Sequence, residues 1–212
     1  MTQPAEMQSA RYDRSSAVGK ILADLRRKNA WTLADVSKRT GVSISALSKI
    51  ENGQSQPAYG VLTRLASGLN IDFVELLDSG GHMRFSGATR AITRAGAGTH
   101  FRNDMGIYEA LAPDIAAKSL QPMLIEISPR EADGPRVRSS HRGEEFVYVL
   151  EGEVVFEMSP YTPVLLAAGD SVYFDGSMDH GFYAVGPASG RILSVCFPGT
   201  SELPATPENI SK

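Results

Sequence analysis

The stretch TLADVSKRTGVSISALSKIENG, Thr32–Gly53, decides how the first third of this 212-residue chain folds. Thr32 stands three residues before Asp35, the spacing of a capping box, in which each side chain satisfies the other residue's backbone N–H and so opens a helix. Gly41 supplies the left-handed residue that ends it. Ser43 caps the next helix, predicted over 44–52. Two short helices joined by a tight glycine turn form a helix-turn-helix. Leu47 and Ile50 fall on its inner face and are predicted core.

Outward from this stretch, apolar residues keep a three-to-four spacing. Val18, Ile21, Leu22 and Leu25 precede it and Val61, Leu62, Leu65 and Leu69 follow it, so a helical unit is expected over 15–78. Farther on the texture changes. From Gln121 to Pro198 there are short β-branched and aromatic runs (PMLIEIS, EEFVYVLEG, EVVFEM, DSVYF, HGFYAV, RILSVCF), broken by Gly, Pro and Asp at the spacing of an antiparallel sandwich or barrel. Between the two textures, residues 79–97 are rich in Gly, Ala, Ser and Thr and are expected to be an exposed linker. Tails are expected at 1–14 and 199–212, and the second domain at 98–198.

Charge is distributed unevenly. The formal net charge is −3, yet residues 11–60 carry 9 Lys and Arg against 4 Asp and Glu, which concentrates positive charge where phosphate contacts would be needed. No run approaches the roughly 18 apolar residues of a membrane span, and the polar N-terminus has no signal-peptide core, so a cytoplasmic protein is expected. The single cysteine, Cys196, has no disulfide partner in the chain and reads as a buried structural thiol in RILSVCF.

From Thr32 to Asp72 the chain resembles the Cro/CI-like (XRE) family of transcriptional regulators, with the glycine, the IENG and the Pro57 helix start in place. The resemblance implies an all-α domain of five helices that binds a double-stranded DNA operator in the major groove. It places Thr32 at a phosphate through its hydroxyl and backbone N–H, and turns Ser43, Ile44, Ser45, Ser48 and Lys49 to the groove, with Lys49 the best guanine reader. Arg26 and Glu51 fall where the family pairs an arginine of the first helix with the IENG glutamate. So small a domain reads few base pairs, so a homodimer presenting two recognition helices is expected. EEFVYVLEG is apolar on both strand faces, with Val147 and Val149 on one and Phe146, Tyr148 and Leu150 on the other. The second face is expected to be covered by another sheet, the partner subunit or the helical domain.

From about Gly98 to Pro198 the chain resembles the cupin superfamily, which implies an antiparallel jelly-roll barrel and an α+β fold in two domains. His141, Glu145 and Gly152 fit the first cupin motif, although its first histidine position holds Ser139. Gly169 and His180 fit the second, whose Pro, Gly and Asn positions hold Asp175, Ser177 and Ala184. His141, Glu145 and His180 make a set suited to one divalent transition metal (Fe, Zn, Mn or Ni); the alternative is a hydrogen-bonded, metal-free sensor pocket. Arg102, Tyr108, Arg138 and Tyr173 are expected to line an effector pocket, and the two arginines favour a small anionic ligand.

The whole chain also resembles the hydroxypropylphosphonate epoxidases, Fe(II) enzymes that combine a Cro-like domain with a cupin and use a His, Glu, His triad. Arg102 and Tyr108 match pocket positions of that family. Its lysine position holds Ala30, a tyrosine position Ala110 and the asparagine position Arg138. Those departures favour a non-enzymatic, ligand-sensing regulator, with a cupin-type Fe(II) oxygenase as the alternative.

Overall fold

The structure, a computed structural model, describes residues 15–78, 80–130 and 136–199. The tails expected at 1–14 and, beyond Gly199, at the C-terminus lie outside the described residues. Five helices come first: α1 (Ser15–Lys28), α2 (Leu33–Thr40), α3 (Ile44–Glu51), α4 (Tyr59–Leu69) and α5 (Phe73–Leu77). The capping box is formed at α2, where Thr32 Oγ1 accepts from the Asp35 N–H at 3.1 Å and Asp35 Oδ2 accepts from the Thr32 N–H at 2.8 Å. Gly41 ends α2 at φ 68°, a backbone conformation that costs a glycine nothing. Ser43 Oγ then accepts from the Ala46 N–H at 3.3 Å and opens α3. Leu22, Val36, Leu47 and Leu65 from four of the helices are fully buried together, each worth about 1.5–3 kcal/mol over exposure.

The C-terminal part is built of antiparallel sheets. Strands β2 (Thr99–Asn103), β3 (Gly106–Ala110), β5 (Gln121–Ile127), β6 (Glu144–Glu151), β9 (Ser171–Asp175) and β11 (Gly190–Phe197) form one sheet in the order β2-β3-β5-β11-β6-β9. A second contains β10 (His180–Ala184), β7 (Glu153–Met158) and β8 (Val164–Ala167), in that order. Their inner faces meet in an apolar core that includes Ile125, Val147, Val149 and Ile192 from the larger sheet. Phe156 and Phe182 stack at 4.9 Å on the smaller sheet's side. Single bridges, Pro129 to Ala184 and Ser139 to His180, tie β10 to the segments leading out of β5 and into β6. Edge strands β8 and β9 are not paired with each other, so among the described residues the hydrogen-bond ladder does not run continuously round a barrel.

Three features of this half were not visible in the sequence. β2 (THFRN) and β3 (GIYEA) lack the apolar runs that mark β5 and β6, and β8 (VLLA) is only four residues long. The segment expected to be an exposed linker is largely exposed but contains β1 (Met83–Arg84), which pairs in parallel with β4 (Ile115–Ala116). And the two halves are docked. The Ala117 N–H donates to Asp72 Oδ2 at 2.6 Å, and Phe73 of α5 lies 6.0 Å, ring to ring, from Phe101 of β2.

Candidate nucleic-acid interface and buried polar site

The second helix of the helix-turn-helix presents a polar outer face. Ser43, Ser45 and Lys49 are exposed, Ile44 is 50% exposed, and Ser48 is half-buried with its carbonyl accepting from the Asn52 amide at 2.9 Å. A bare isoleucine beside three serines and a lysine suits a thymine methyl and base edges. Behind this face, Arg26 of α1 grips Glu51 with two parallel bonds, Nε to Oε1 at 2.7 Å and Nη2 to Oε2 at 2.9 Å, while Nη1 donates to the Trp31 carbonyl at 3.2 Å. The fork locks α1 to the end of α3. Thr32 is exposed, but both groups expected to meet a phosphate, its hydroxyl and its backbone N–H, are bonded to the Asp35 carboxylate. A phosphate here would have to displace a negative charge.

A second cluster is buried within the cupin half. β6 supplies Glu145, the loop before it His141, β10 His180, and β11 both Ser194 and Cys196; all five are buried. Glu145 Oε2 lies 2.9 Å from His141 Nε2 and 3.5 Å from His180 Nε2, and its Oε1 accepts from the Ser194 hydroxyl at 2.6 Å. Burial alone would raise the Glu145 pKa, but the two imidazoles bonded to it outweigh burial and hold it down to about 2. His180 Nδ1 sits 2.8 Å from the Met178 carbonyl, which can only accept, so Nδ1 carries a hydrogen and Nε2 is the nitrogen that faces the carboxylate. Ligating histidines are oriented in this way in metal sites. One donor atom each from His141, Glu145 and Cys196 lies within 4.8 Å of the others. The donor chemistry therefore fits a divalent transition metal.

Tyr59, the first residue of α4, closes this cluster from the helical half. Its ring meets His141 edge-on, with centroids 5.0 Å apart, and its hydroxyl bonds Cys196. Burial, followed by the neighbouring Cys196 and Glu145, pushes the phenol's pKa well up. Next to it, the Gly60 N–H donates to Ser139 Oγ at 3.2 Å. The backbones are so close here that a Cβ on Gly60 would fall 2.1 Å from the Ser140 carbonyl oxygen.

Of the four residues expected to line an effector pocket, Tyr108 lies nearest this cluster. It is buried, stacks on Phe101 at 4.6 Å, and is close enough for the Glu145 charge to raise its pKa further after burial. The others lie elsewhere. Arg102 is exposed on the outward face of β2. Arg138 crosses the outer face of the small sheet, with Nη1 donating to Ser159 Oγ at 2.9 Å and Asp179 Oδ2 at 3.1 Å and Nη2 to Glu157 Oε2 at 3.3 Å. Tyr173 is 65% exposed, bonds Glu144 and lines an apolar cleft of about 1020 Å³ between β8 and β9, together with Phe156, Leu166 and Phe174. Among the described residues no pair of arginines faces this cluster; Arg138 instead lines, with Arg130 and Arg136, a separate cleft of about 570 Å³. Phe174 touches His180, 4.8 Å ring to ring, and connects the apolar cleft to the cluster.

Residues 22–76 match the helix-turn-helix family HTH_3, and residues 123–196 match the cupin domain family Cupin_2. The chain is 30% identical over 100 residues to the transcriptional regulator ClgR of Mycobacterium tuberculosis, covering 47% of this chain and 89% of that one. It is 25% identical over 194 residues to (S)-2-hydroxypropylphosphonic acid epoxidase of Streptomyces wedmorensis, covering 86% and 96% respectively. The crystal structure of an HTH_3 family transcriptional regulator from Vibrio cholerae superposes with a TM-score of 0.58 at 22% identity, over 87% of this chain and 97% of that one, a likeness of fold.

Proposed function

The chain belongs to the helix-turn-helix (HTH_3) family of transcriptional regulators and carries a cupin domain behind its DNA-binding helices, and from that premise we propose that it is a sequence-specific regulator whose cupin domain senses a small ligand. The observation that carries this reading is Tyr59. It starts a helix of the DNA-binding unit, and its ring is one wall of the buried polar cluster. Whatever fills or reshapes the cluster must act on Tyr59, and α4 is part of the core against which α3 packs. A ligand that prefers one placement of Tyr59 therefore changes operator affinity, by the differential binding energy alone.

His141, Glu145 and His180 would hold the metal and Tyr108 would contribute to the wall of the cavity. A metal there supplies Lewis acidity and a fixed positive charge. The neighbouring cleft is apolar, so the ligand we propose has an apolar body and reaches the cluster past Phe174. Phe146, Tyr148 and Leu150 remain 37–39% exposed on the outer face of β6, which supports a homodimer joined through this sheet. No helix among the described residues is long and apolar enough to cross a membrane; a cytoplasmic location follows from the proposed role.

The test has two parts. An operator selected from random duplexes should bind the full chain, and titration of the metal-free protein with Zn(II) or Fe(II) should shift that affinity by about 1–3 kcal/mol. Failure to select any sequence would overturn the reading. A second reading, an Fe(II) oxygenase, is favoured by the similarity to the epoxidase over 86% of the chain. It predicts that the Fe(II)-loaded protein consumes a hydroxypropylphosphonate in the presence of O₂, which the sensor reading does not.

A further inference from the structure

We propose that Cys196 is itself a metal ligand, so that the buried cluster is a site of nitrogen, oxygen and sulfur donors rather than of imidazole and carboxylate alone. The inference rests on the metal-binding part of the reading above and not on DNA binding.

Register brings the thiol into place. β11 pairs with β6 so that Cys196 lies directly opposite Glu145, which puts the two side chains side by side on one face. Ser194, two residues earlier, shares that face and holds Glu145 Oε1, leaving Oε2 for the histidines. Donors about 2.0–2.3 Å from one tetrahedral zinc ion lie about 3.3–3.8 Å apart. The donor atoms of His141, Glu145 and Cys196 span 4.8 Å, so side-chain rotations that draw them in by about 1 Å would close the shell on an ion.

The surroundings of the thiol are not those of a core cysteine, which packs among apolar atoms. Sγ lies 3.6 Å from the Ser194 hydroxyl, and Tyr59 and Glu145 also bond it. Charge balance points the same way. Glu145 and a cysteine thiolate together neutralise a divalent ion in a site that excludes water, whereas one carboxylate leaves a net positive charge buried. With His141 they make three protein donors in one small volume, and His180 Nε2, 3.5 Å from Glu145 Oε2, stands beside them as the candidate for a fourth position of a tetrahedral zinc shell. Such a set selects Zn(II) or Co(II) over the hard cations Mg(II) and Mn(II).

The experiment loads the metal-free, full-length protein with one equivalent of Co(II) and records its near-ultraviolet spectrum. The expected result is an intense sulfur-to-cobalt charge-transfer band, which imidazole and carboxylate ligands do not produce. Cys196→Ser should abolish the band and weaken cobalt binding on the order of tenfold or more. His180→Ala should keep the band. Failure to bind cobalt, binding without the band, or a band that survives Cys196→Ser would each overturn the proposal. If the serine variant does not fold, X-ray absorption of the wild-type zinc form decides: sulfur in the first shell supports the assignment, and nitrogen and oxygen alone overturn it. Operator binding is read separately, so a failure of the regulator reading is distinguishable from a failure of this one.

Discussion

Tyr59 and His141, one in the first turn of α4 in the helix-turn-helix domain and the other in the loop that leads into a cupin strand, meet edge to face with their planes at 85°. The contact lies inside the seam between the two domains. Tyr59 packs against Phe73 at 5.3 Å on its other side, and Phe73 in turn against Phe101, so an aromatic row runs from the helical core into the larger sheet. Edge-to-face pairs are worth about 0.5–1.5 kcal/mol each beyond the area they bury. The row makes the domain junction a continuation of both cores.

That junction has no room for a methyl group at Gly60. Its Cβ would meet the Ser140 carbonyl at 2.1 Å and Ser139 Oγ at 3.0 Å, and backbone cannot swing aside as a flexible side chain can. Gly60→Ala should push the domains apart at a cost of about 1–3 kcal/mol. Limited proteolysis and calorimetry should show a more open junction and less cooperative melting. A wild-type melting profile would mean that the close approach is absent in solution.

Glu51→Ala strands the Arg26 guanidinium with one remaining partner, the Trp31 carbonyl. The side chains are 21% and 10% exposed, so solvent screens the pair less than a surface bridge. Chemical denaturation should show a loss of about 1.5–3 kcal/mol, the range for bonds to a charged group. A loss under 0.5 kcal/mol would mean that water replaces the carboxylate.

On the outer face of α3, Lys49→Ala should weaken binding to the selected operator by about 1–3 kcal/mol and leave thermal stability unchanged, because the side chain is exposed. Binding titrations at several salt concentrations separate the possible roles. A lysine on a base edge should relax preference at one operator position, whereas one on a phosphate should weaken all sequences alike and lower the salt slope by about one.

The capping box gives α2 a pH-dependent start. Hydrogen bonds from the Thr32 hydroxyl, then from its backbone N–H, hold Asp35 below the usual aspartate range. The folded pKa is below the unfolded one, so this contribution is complete above the unfolded value, about 3.9, and is lost as pH falls through the folded one. The stability difference between wild type and Asp35→Ala should therefore be largest near neutrality and vanish in acid, as followed by urea melts across that range. A difference that grew on acidification would contradict the assignment.

The helical half was legible in the sequence because its signals are local. Thr32, Asp35, Gly41 and Ser43 act within a few residues of themselves, and the structure puts each at a cap. Glu145 and its neighbours could be placed on one strand face by alternation, and the family motifs pointed to His180. The long-range relations were not legible. Tyr59 sits in a helix start, PAYGVL, that reads as ordinary core, and nothing near it in sequence says that it crosses to the other domain. Arg138 follows the segment 131–135 and is claimed by Glu157 and Asp179, partners on two other stretches of chain. Ser194 and Cys196 did carry a signal. Two polar-capable residues alternating on the inward face of a buried strand, after Ile192, call for polar neighbours across the sheet.

The short ladder between Met83 and Ile115 has a kinetic consequence. With the ring nitrogens of His82 within hydrogen-bonding distance of the carbonyls of Asp78 and Pro113, it leaves only a few residues of slack between the helical domain and the strands on which it rests. A tether that short keeps Tyr59 at an effective concentration on the order of millimolar or higher beside His141, even after a momentary undocking. An incoming ligand that needs that space competes with an occupant that cannot diffuse away. For the ligand proposed above, lengthening the tether would lower the concentration at which half the molecules respond, with no change to any residue that touches it.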